Sequence, residues 1–468
     1  MLIGVIFRSK VDEILQEMEL IKHLVDAAEI RLDYFEDWGA LALLKEKAVL
    51  PLVFTFRRKN QGGRLAIAEE KRLELFEKAL LLKPSFADIE ADTDRRWIDR
   101  VGALHPEIKW IGSHHDFEKT PDDLDGLLRS MQHRCFSIYK IALHARSSLD
   151  LLRFMVWAKQ NADRVALSCI SLGLDGQPSR VLGQVMGNAL NYSSLDDSMN
   201  SLYHYSLDTL HQVFGFSRLN QQTKIYALLG DPVAESPGDL FHNQKFREEG
   251  IHAVYVKLRL NASELEEFFS LSQKLPFAGF SVTRPLKEVV LPFLSRIDEP
   301  ALAMKAVNTI LVERSEWIGF NTDAPGALHA LELHGLVKGK KVAILGAGGS
   351  ARAIAYEAMR RGADVMVFNR TMARAEKLAK DFGCKAYALD ALASHPYEVL
   401  INTIPSEASK NLPILAGSLR EKSVFMDINH TSTLLQAAQS RGCRCILGKA
   451  MFEEQAQLQQ KIWTKKTY

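Results

Sequence analysis

Polar residues stand at the ends of apolar, β-branched runs through the first half of the chain, and their types suit carbonyl chemistry. Glu29, Arg31 and Asp33 lie in AEIRLDYF, Arg57 closes AVLPLVFTFR, His114 and His115 follow in IKWIGSHHD, and Lys140 sits inside CFSIYKIAL. A lysine held among Ile138, Ile141 and Leu143 is expected to be partly desolvated, which favours the neutral amine that attacks a ketone. The protonated imine that follows is an electron sink: a nearby histidine can remove an adjacent proton, and a β-hydroxyl can leave as water with the same histidine as acid. Arginines would hold a substrate carboxylate in a bidentate grip. Each residue taken singly has an ordinary alternative. A strand-end lysine commonly snorkels to water, an Arg with a Glu can be a plain ion pair, and paired histidines are more often turn or surface decoration. Convergence on one face is what favours chemistry.

A second kind of chemistry is carried by KVAILGAGGSARAIAYEAM, where a strand, a glycine-rich turn and a helix follow one another. Gly346, Gly348 and Gly349 let the backbone approach a pyrophosphate at the helix N-terminus. A glycine turn alone is weak evidence. The next strand, DVMVFNRT, arrives about 20 residues on, where an NAD site carries Asp or Glu. Asn369, Arg370 and Thr371 stand there instead, with Arg374 one helical turn later. Two arginines and no acid favour the 2′-phosphate of NADP; the ordinary alternative is a helix start with solvated arginines. Upstream, Lys287 in SVTRPLKE follows a strand and a proline turn, and Asp323 lies in GFNTDAPG at a domain junction. Hydride transfer to a ketone makes an alkoxide, which needs a proton donor or a positive charge, and a lysine beside a carboxylate supplies either. In isolation Lys287 reads as a surface lysine, and Asp323 as a cap on the helix after Thr322.

Positioning these residues requires particular elements. Over the first two hundred residues the runs LIGVIF, AEIRLDYF, AVLPLVFTFR, FADIEAD, IKWIGSHHD, CFSIYKIAL, RVALSCISL and NALNYSS alternate with helical stretches such as 64–82 and 147–161. At a spacing of roughly 25 residues, this is the pattern of crossover units and a parallel sheet buried on both faces. About eight such units predict an N-terminal (β/α)8 barrel, whose strand ends open on one face. The pattern stops over 196–222, KIYALLGDPV starts a new domain, and KVAILGAGG opens a third. The tail KAMFEEQAQLQQKIW has helical spacing and no partner strand, so it must pack on something already folded. The predicted division is 1–215 for the barrel, 223–326 plus 447–468 for a substrate domain, and 327–446 for a Rossmann dinucleotide domain.

A chain of 468 residues has room for three domains. Its 47% hydrophobic and 25% charged composition, with a net charge of +2, gives no reason to expect disorder or a nucleic-acid partner. No apolar run approaches the ~18 residues of a membrane span, and LIGVIF follows Met1 without the basic region of a signal peptide. A cytoplasmic protein with no membrane partner is expected. The cysteines at 135, 169, 384, 443 and 445 are read as reduced and mostly structural, and no metal site is predicted.

In combination, EIRLD, TFR followed by Gly62 and Gly63, SHHDFEKTP, YKIA and SRVLGQVMGNAL resemble type I 3-dehydroquinate dehydratase over about 1–215. The resemblance implies that Lys140 forms a Schiff base, that His115 is the general acid/base, and that Glu29, Arg31, Arg57 and Arg180 bind substrate, Arg180 through its carboxylate. His114, the strand neighbour of His115, then points to the other side. The motifs GDPVAESPGDLFHN, GFSVTRPLKE, AVNTI, GFNTDAPG, GAGGSARA, NRT and MFEEQ resemble shikimate dehydrogenase, in that family's order, over about 223–468. This second resemblance implies Lys287 and Asp323 as the catalytic pair. It also implies that Ser236, Thr283, Asn308 and Gln455 hold substrate hydroxyls and carboxylate, that His242 and Asn243 are structural, and that the C-terminal helix returns to the substrate domain.

The chain departs from both patterns. Gln61 stands where the dehydratases usually carry a Glu that orients the histidine, and SLYHYS, with His204 as a substitute polar contact, replaces their AlaProGlyGln loop. Gly238, Ser281 and His430 replace a usual Ser, Asn and Tyr of the dehydrogenases. The expected protein is a bifunctional enzyme that dehydrates 3-dehydroquinate to 3-dehydroshikimate and reduces that product to shikimate with NADPH, its partners being these small molecules. A quinate dehydrogenase using NAD and a non-catalytic quinate sensor are the rivals.

Overall fold

Each of the eight apolar runs becomes a parallel strand: β1 Leu2–Ile6, β2 Ala27–Arg31, β3 Leu52–Thr55, β4 Phe86–Glu90, β5 Lys109–Asp116, β6 Phe136–His144, β7 Leu167–Leu172 and β8 Asn191–Ser193. The computed structural model describes residues 1–195, 205–335, 337–405, 417–429 and 432–464. His204 and His430 lie outside the described residues. The ladder runs β7-β6-β5-β4-β3-β2-β1-β8, a nearly closed barrel. Because strand side chains alternate, Ile3, Val5, Val53, Ile111, Ile170 and Tyr192 pack together in its interior. Register then fixes the polar layer: Ser113 of β5 pairs with Lys140 of β6, which pairs with Ser168 of β7.

The ends of the ladder, β7 and β8, are joined by side chains as much as by backbone. Ala189 N–H donates to Leu167 O at 2.7 Å, and Ser168 Oγ donates to Leu190 O at 2.6 Å. Buried Asn188 acts as a missing strand neighbour: its Oδ1 accepts from Cys169 N–H and its Nδ2 donates to Cys169 O, both at 3.0 Å.

The chain separates into two compact units, Met1–Phe277 and Ala278–Tyr468. The first contains, besides the barrel, the parallel pair β9 Lys224–Gly230 and β10 Ala253–Arg259 with their helices. Division by packing therefore falls inside the stretch 223–326 that the sequence assigns to one substrate domain. Polar ties join this stretch to the barrel. Arg259 grips Asp175 in a bidentate pair at 3.0 and 2.5 Å, Arg153 Nε lies 2.7 Å from Glu267 Oε1, and Lys159 donates to Lys274 O at 3.3 Å.

From its second residue on, β11 Phe277–Val282 belongs to the second unit and pairs antiparallel with β13 Thr309–Glu313; β13 pairs antiparallel with β14 Glu316–Phe320, and β14 pairs parallel with β12 Arg296–Ile297. A parallel sheet follows, built from β15 Lys341–Leu345, β16 Asp364–Asn369, β17 Lys385–Ala388, β18 Val399–Asn402, β19 Val424–Asp427 and β20 Arg444–Ile446. Its order, β17-β16-β15-β18-β19-β20, is that of a dinucleotide-binding Rossmann sheet. Alternate residues of β15 feed two cores, Val342 and Ile344 on one face and Ala343 and Leu345 on the other, so both faces are covered. The tail forms the helix Gly448–Thr464, and it does pack on an existing fold: Trp463 Nε1 donates to Ile310 O at 3.0 Å. Among the described residues no helix is long and apolar enough to cross a membrane.

Replacing Asn188 by Ala strands the buried N–H and C=O of Cys169 at the seam. At about 1–3 kcal/mol for each unmet group, Asn188→Ala is expected to destabilise the first unit by about 2–4 kcal/mol. Urea unfolding checks it; an unchanged midpoint would show that the seam does not depend on this amide.

Candidate active sites

Eight elements converge on a cavity whose lining includes Glu29, Arg31, Arg57, Gln61, His115, Lys140, Arg180 and Tyr192. The strands place these groups by their two-residue period. Glu29 and Arg31 share a face of β2, Ser113 and His115 share a face of β5, and His114, between the latter two, is not among the lining residues. Arg57 lies two residues past β3, and Arg180 lies in the helix Ser179–Met186 after β7.

Lys140 is buried as expected, but its company is ionic rather than aliphatic. Its Nζ lies 3.3 Å from Glu29 Oε1 and 3.1 Å from Asp88 Oδ2. Two carboxylates therefore share its burial. Asp88 is the centre of the cluster. It also takes Arg57 Nη2 at 2.7 Å and the Ser113 hydroxyl at 2.6 Å. Burial works against charge on Asp88, yet Arg57 and Lys140 outweigh it and hold the carboxyl well below its usual range. Glu90, on the same face of β4, accepts from Arg58 N–H at 2.8 Å and lies 3.2 Å from Arg72. Arg31 is held by Asp33 through two bonds of 2.9 and 2.8 Å.

His115 is pushed well below its usual 6.5, first by burial and then by the charges of Arg57 and Lys140, with Asp88 opposing. The ring is thus neutral near pH 7 and suited to take a proton. Gln61 does not orient that ring: its Oε1 accepts from the His115 main-chain N–H at 2.8 Å. The ring stacks on Phe117 instead, at 6.1 Å and 16°. Burial pushes Arg180 down to about 10, which makes it a place where a carboxylate is welcome. Asp88, Ser113 and Tyr192 escaped the sequence reading. The signal for Asp88 was present in FADIE, where Phe86, Asp88 and Glu90 share one face and only one is apolar.

The second unit has its own centre. Lys287, in the short helix Leu286–Val289, donates to Asp323 Oδ2 at 2.6 Å. Asp323 begins the helix Asp323–Glu332, but its carboxylate does not cap it; the other oxygen accepts from Asn308 Nδ2 at 2.8 Å. Asn308 is the hub, within 3.3 Å of Gln455 Oε1 and accepting from Thr322 N–H at 2.8 Å. Buried Gln459, also unforeseen, holds the hub from below. It donates to Asn308 O and Thr309 Oγ1 and accepts from the Ser281 hydroxyl, each at 3.0 Å. Thr283, Lys287 and Asp323 line one cleft with Gly349 and Ser350. Ser236 belongs to the first unit, where its Oγ accepts from Gly238 N–H at 3.2 Å; a Cβ on Gly238 would come within 3.1 Å of the Tyr255 hydroxyl.

The glycine turn fits a dinucleotide. Gly346 has φ +106°, and a Cβ there would meet Thr403 Oγ1 at 2.5 Å, while Gly348 faces open space at the start of the helix Gly349–Arg360. Asn369 Nδ2 closes the next turn on Thr371 O at 2.9 Å. Arg370 and Arg374 are exposed, and no ion pair engages either among the described residues. Free guanidinium groups at this position suit a phosphate.

Fold and sites together define a two-centre enzyme, a barrel lyase joined to a dinucleotide-dependent oxidoreductase. Family models agree in order: type I 3-dehydroquinase matches residues 5–221, the shikimate dehydrogenase substrate binding domain matches 228–310, and shikimate/quinate 5-dehydrogenase matches 329–428. The chain is 33% identical to the chloroplastic bifunctional 3-dehydroquinate dehydratase/shikimate dehydrogenase of Arabidopsis thaliana, over 94% of this chain and 77% of that one. It is equally 33% identical to the shikimate biosynthesis protein AroDE of Chlamydia pneumoniae, over 94% and 90%. A crystal structure of shikimate dehydrogenase in complex with NADP+ aligns with 36% identity and a TM-score of 0.50, covering 53% of this chain and 91% of its own. The chain belongs to the bifunctional 3-dehydroquinate dehydratase/shikimate dehydrogenase family.

His115 is expected to titrate below pH 6.5 when followed by NMR in the full chain. Arg57→Gln removes a positive charge that disfavours the imidazolium, so its midpoint should rise. A fall, or no change, would show that Arg57 does not set the charge of His115.

Proposed function

We propose that the barrel dehydrates 3-dehydroquinate to 3-dehydroshikimate through an imine on Lys140, and that the remainder of the chain reduces 3-dehydroshikimate to shikimate with NADPH. The observation that carries this reading is the placement of Lys140 and His115 on adjoining strands of one cavity that also admits Arg57 and Arg180. Glu29 and Asp88 hold the Lys140 side chain in place, and its amine reacts after its proton has passed to solvent. The amine adds to the ketone, and loss of water gives the iminium. Neutral His115 removes the adjacent proton, the resulting enamine expels the β-hydroxyl, and protonated His115 returns its proton so that water leaves. Hydrolysis of the imine frees Lys140. Arg180 holds the carboxylate, with Glu29, Arg31 and Arg57 as the other substrate contacts.

In the second centre Lys287 is the proton donor to the developing alkoxide, and Asp323 holds its ammonium in place. Ser236, Thr283, Asn308 and Gln455 hold the hydroxyls and carboxylate. When bound, NADPH supplies the hydride. Gly346, Gly348 and Gly349 would receive its pyrophosphate, and Asn369, Arg370, Thr371 and Arg374 its adenosine 2′-phosphate. The proposal assigns 1–215 to the dehydratase, 223–326 plus 447–468 to shikimate binding and 327–446 to NADP. It keeps small molecules as the partners of both sites and the cytoplasm as the compartment. A sensor without activity has no need of Lys140, His115, Lys287 and Asp323 together, and quinate oxidation with NAD does not suit Arg370 and Arg374.

Borohydride added with 3-dehydroquinate is expected to trap an adduct that mass mapping places on Lys140, and Lys140→Ala should abolish dehydration. Asp323→Asn should lower the dehydrogenase kcat by about 10²–10⁴-fold. Full activity in either variant would sink the corresponding mechanism. Arg370→Ala with Arg374→Ala should raise the KM for NADP+ by about 10–100-fold and leave that for NAD+ nearly unchanged, since only the former carries the 2′-phosphate. Equal losses for both would remove these arginines from the phosphate site.

A further inference from the structure

The barrel cavity contains a polar group that the scheme above leaves unused. Tyr192 of β8 lines the cavity and is 3% exposed, yet its hydroxyl has no hydrogen-bond partner among the described residues. Its ring lies against Lys140, with Nζ 3.7 Å from the centroid. A cation over an aromatic face is attracted to it, more so when desolvated. The ring therefore forms one wall of the lysine's seat, with Glu29 and Asp88 at its charged side.

A buried hydroxyl left unmet is unfavourable, and such groups are met by a ligand or a water in the working state. The acceptors nearest in charge are already engaged. Glu29 Oε1 takes the Thr55 hydroxyl at 2.6 Å as well as Lys140, and Asp88 takes Arg57, Ser113 and Lys140. An oxygen of what enters the cavity can meet the Tyr192 hydroxyl, and a ring acid bearing a ketone, hydroxyls and a carboxylate brings several. Burial, reinforced by Glu29 and Asp88, pushes the phenol well above its usual 10, so it stays a neutral donor.

We propose that Tyr192 is a further substrate-contacting residue of the dehydratase centre, its hydroxyl donating to an oxygen of the bound ring acid while its ring seats Lys140. The inference rests on the dehydratase reading of the barrel. It assigns Tyr192 to binding, which predicts a loss in KM rather than in kcat.

The test is Tyr192→Phe in the full chain, which keeps the ring and removes only the hydroxyl. The KM for 3-dehydroquinate is expected to rise about tenfold, with kcat changed less than about threefold. At saturating substrate, borohydride should still trap Lys140 to the wild-type extent. Shikimate oxidation by the same preparation should be unchanged, which controls for folding. Tyr192→Leu, lacking the ring as well, should also slow trapping at saturation. A Tyr192→Phe enzyme with KM within about twofold of wild type overturns the hydroxyl contact, and a Tyr192→Leu enzyme that traps at the wild-type rate overturns the seat. A wild-type chain that neither traps nor turns over 3-dehydroquinate would instead overturn the dehydratase reading itself, a result distinguishable from both.

Discussion

Buried charge governs the barrel. Glu29, Asp88 and Glu90 face Arg57, Arg72 and Lys140 with almost no solvent to screen them. An unpaired ion at that depth costs several kcal/mol, so each member is tolerable only while its partners stay within about 4 Å. The partners come from different strands: Glu29 from β2, Asp88 and Glu90 from β4, Lys140 from β6. A sheet that slipped by one residue would turn each of them outward and leave its counterion behind. The polar layer thus enforces the same register that the apolar interior needs, and the Asn188 seam between β7 and β8 keeps that register from relaxing at its open end.

The second centre solves a milder problem with neutral groups. Lys287 and Asp323 are partly exposed and need holding more than neutralising. One amide, Asn308, does most of this, and it is in turn fixed by Gln459 from the C-terminal helix. The tail of the chain is therefore part of the centre's scaffold as well as a contributor of Gln455, which is why a helix with no strand of its own is found there.

Much of this was legible in the sequence because strand periodicity is simple. All eight barrel runs became strands, and Glu29, Arg31, Arg57, His115 and Lys140 from their ends line one cavity, since in a parallel barrel chain direction alone decides where strand ends gather. The glycine turn followed by NRT was equally plain. Less legible were groups whose role depends on partners far along the chain. FADIE marks Asp88 as a polar residue on an inward face but not as the partner of Arg57 and Lys140, and Gln459 looks like an ordinary helix residue until Asn308 is beside it. The same limit hides the company of Lys140: its near neighbours in sequence are aliphatic, whereas the carboxylates beside it are 111 and 52 residues away.

The Asp175–Arg259 and Arg153–Glu267 ties bear on how the polypeptide is made. Synthesis runs from the amino end, and domains generally fold as units as they emerge. Every partner of those ties has emerged by residue 277, the close of the first unit. The barrel can then serve as a template on which β9 and β10 settle before the nucleotide-binding sheet exists, and the residue at which this packing unit closes lies well past the last strand of the barrel.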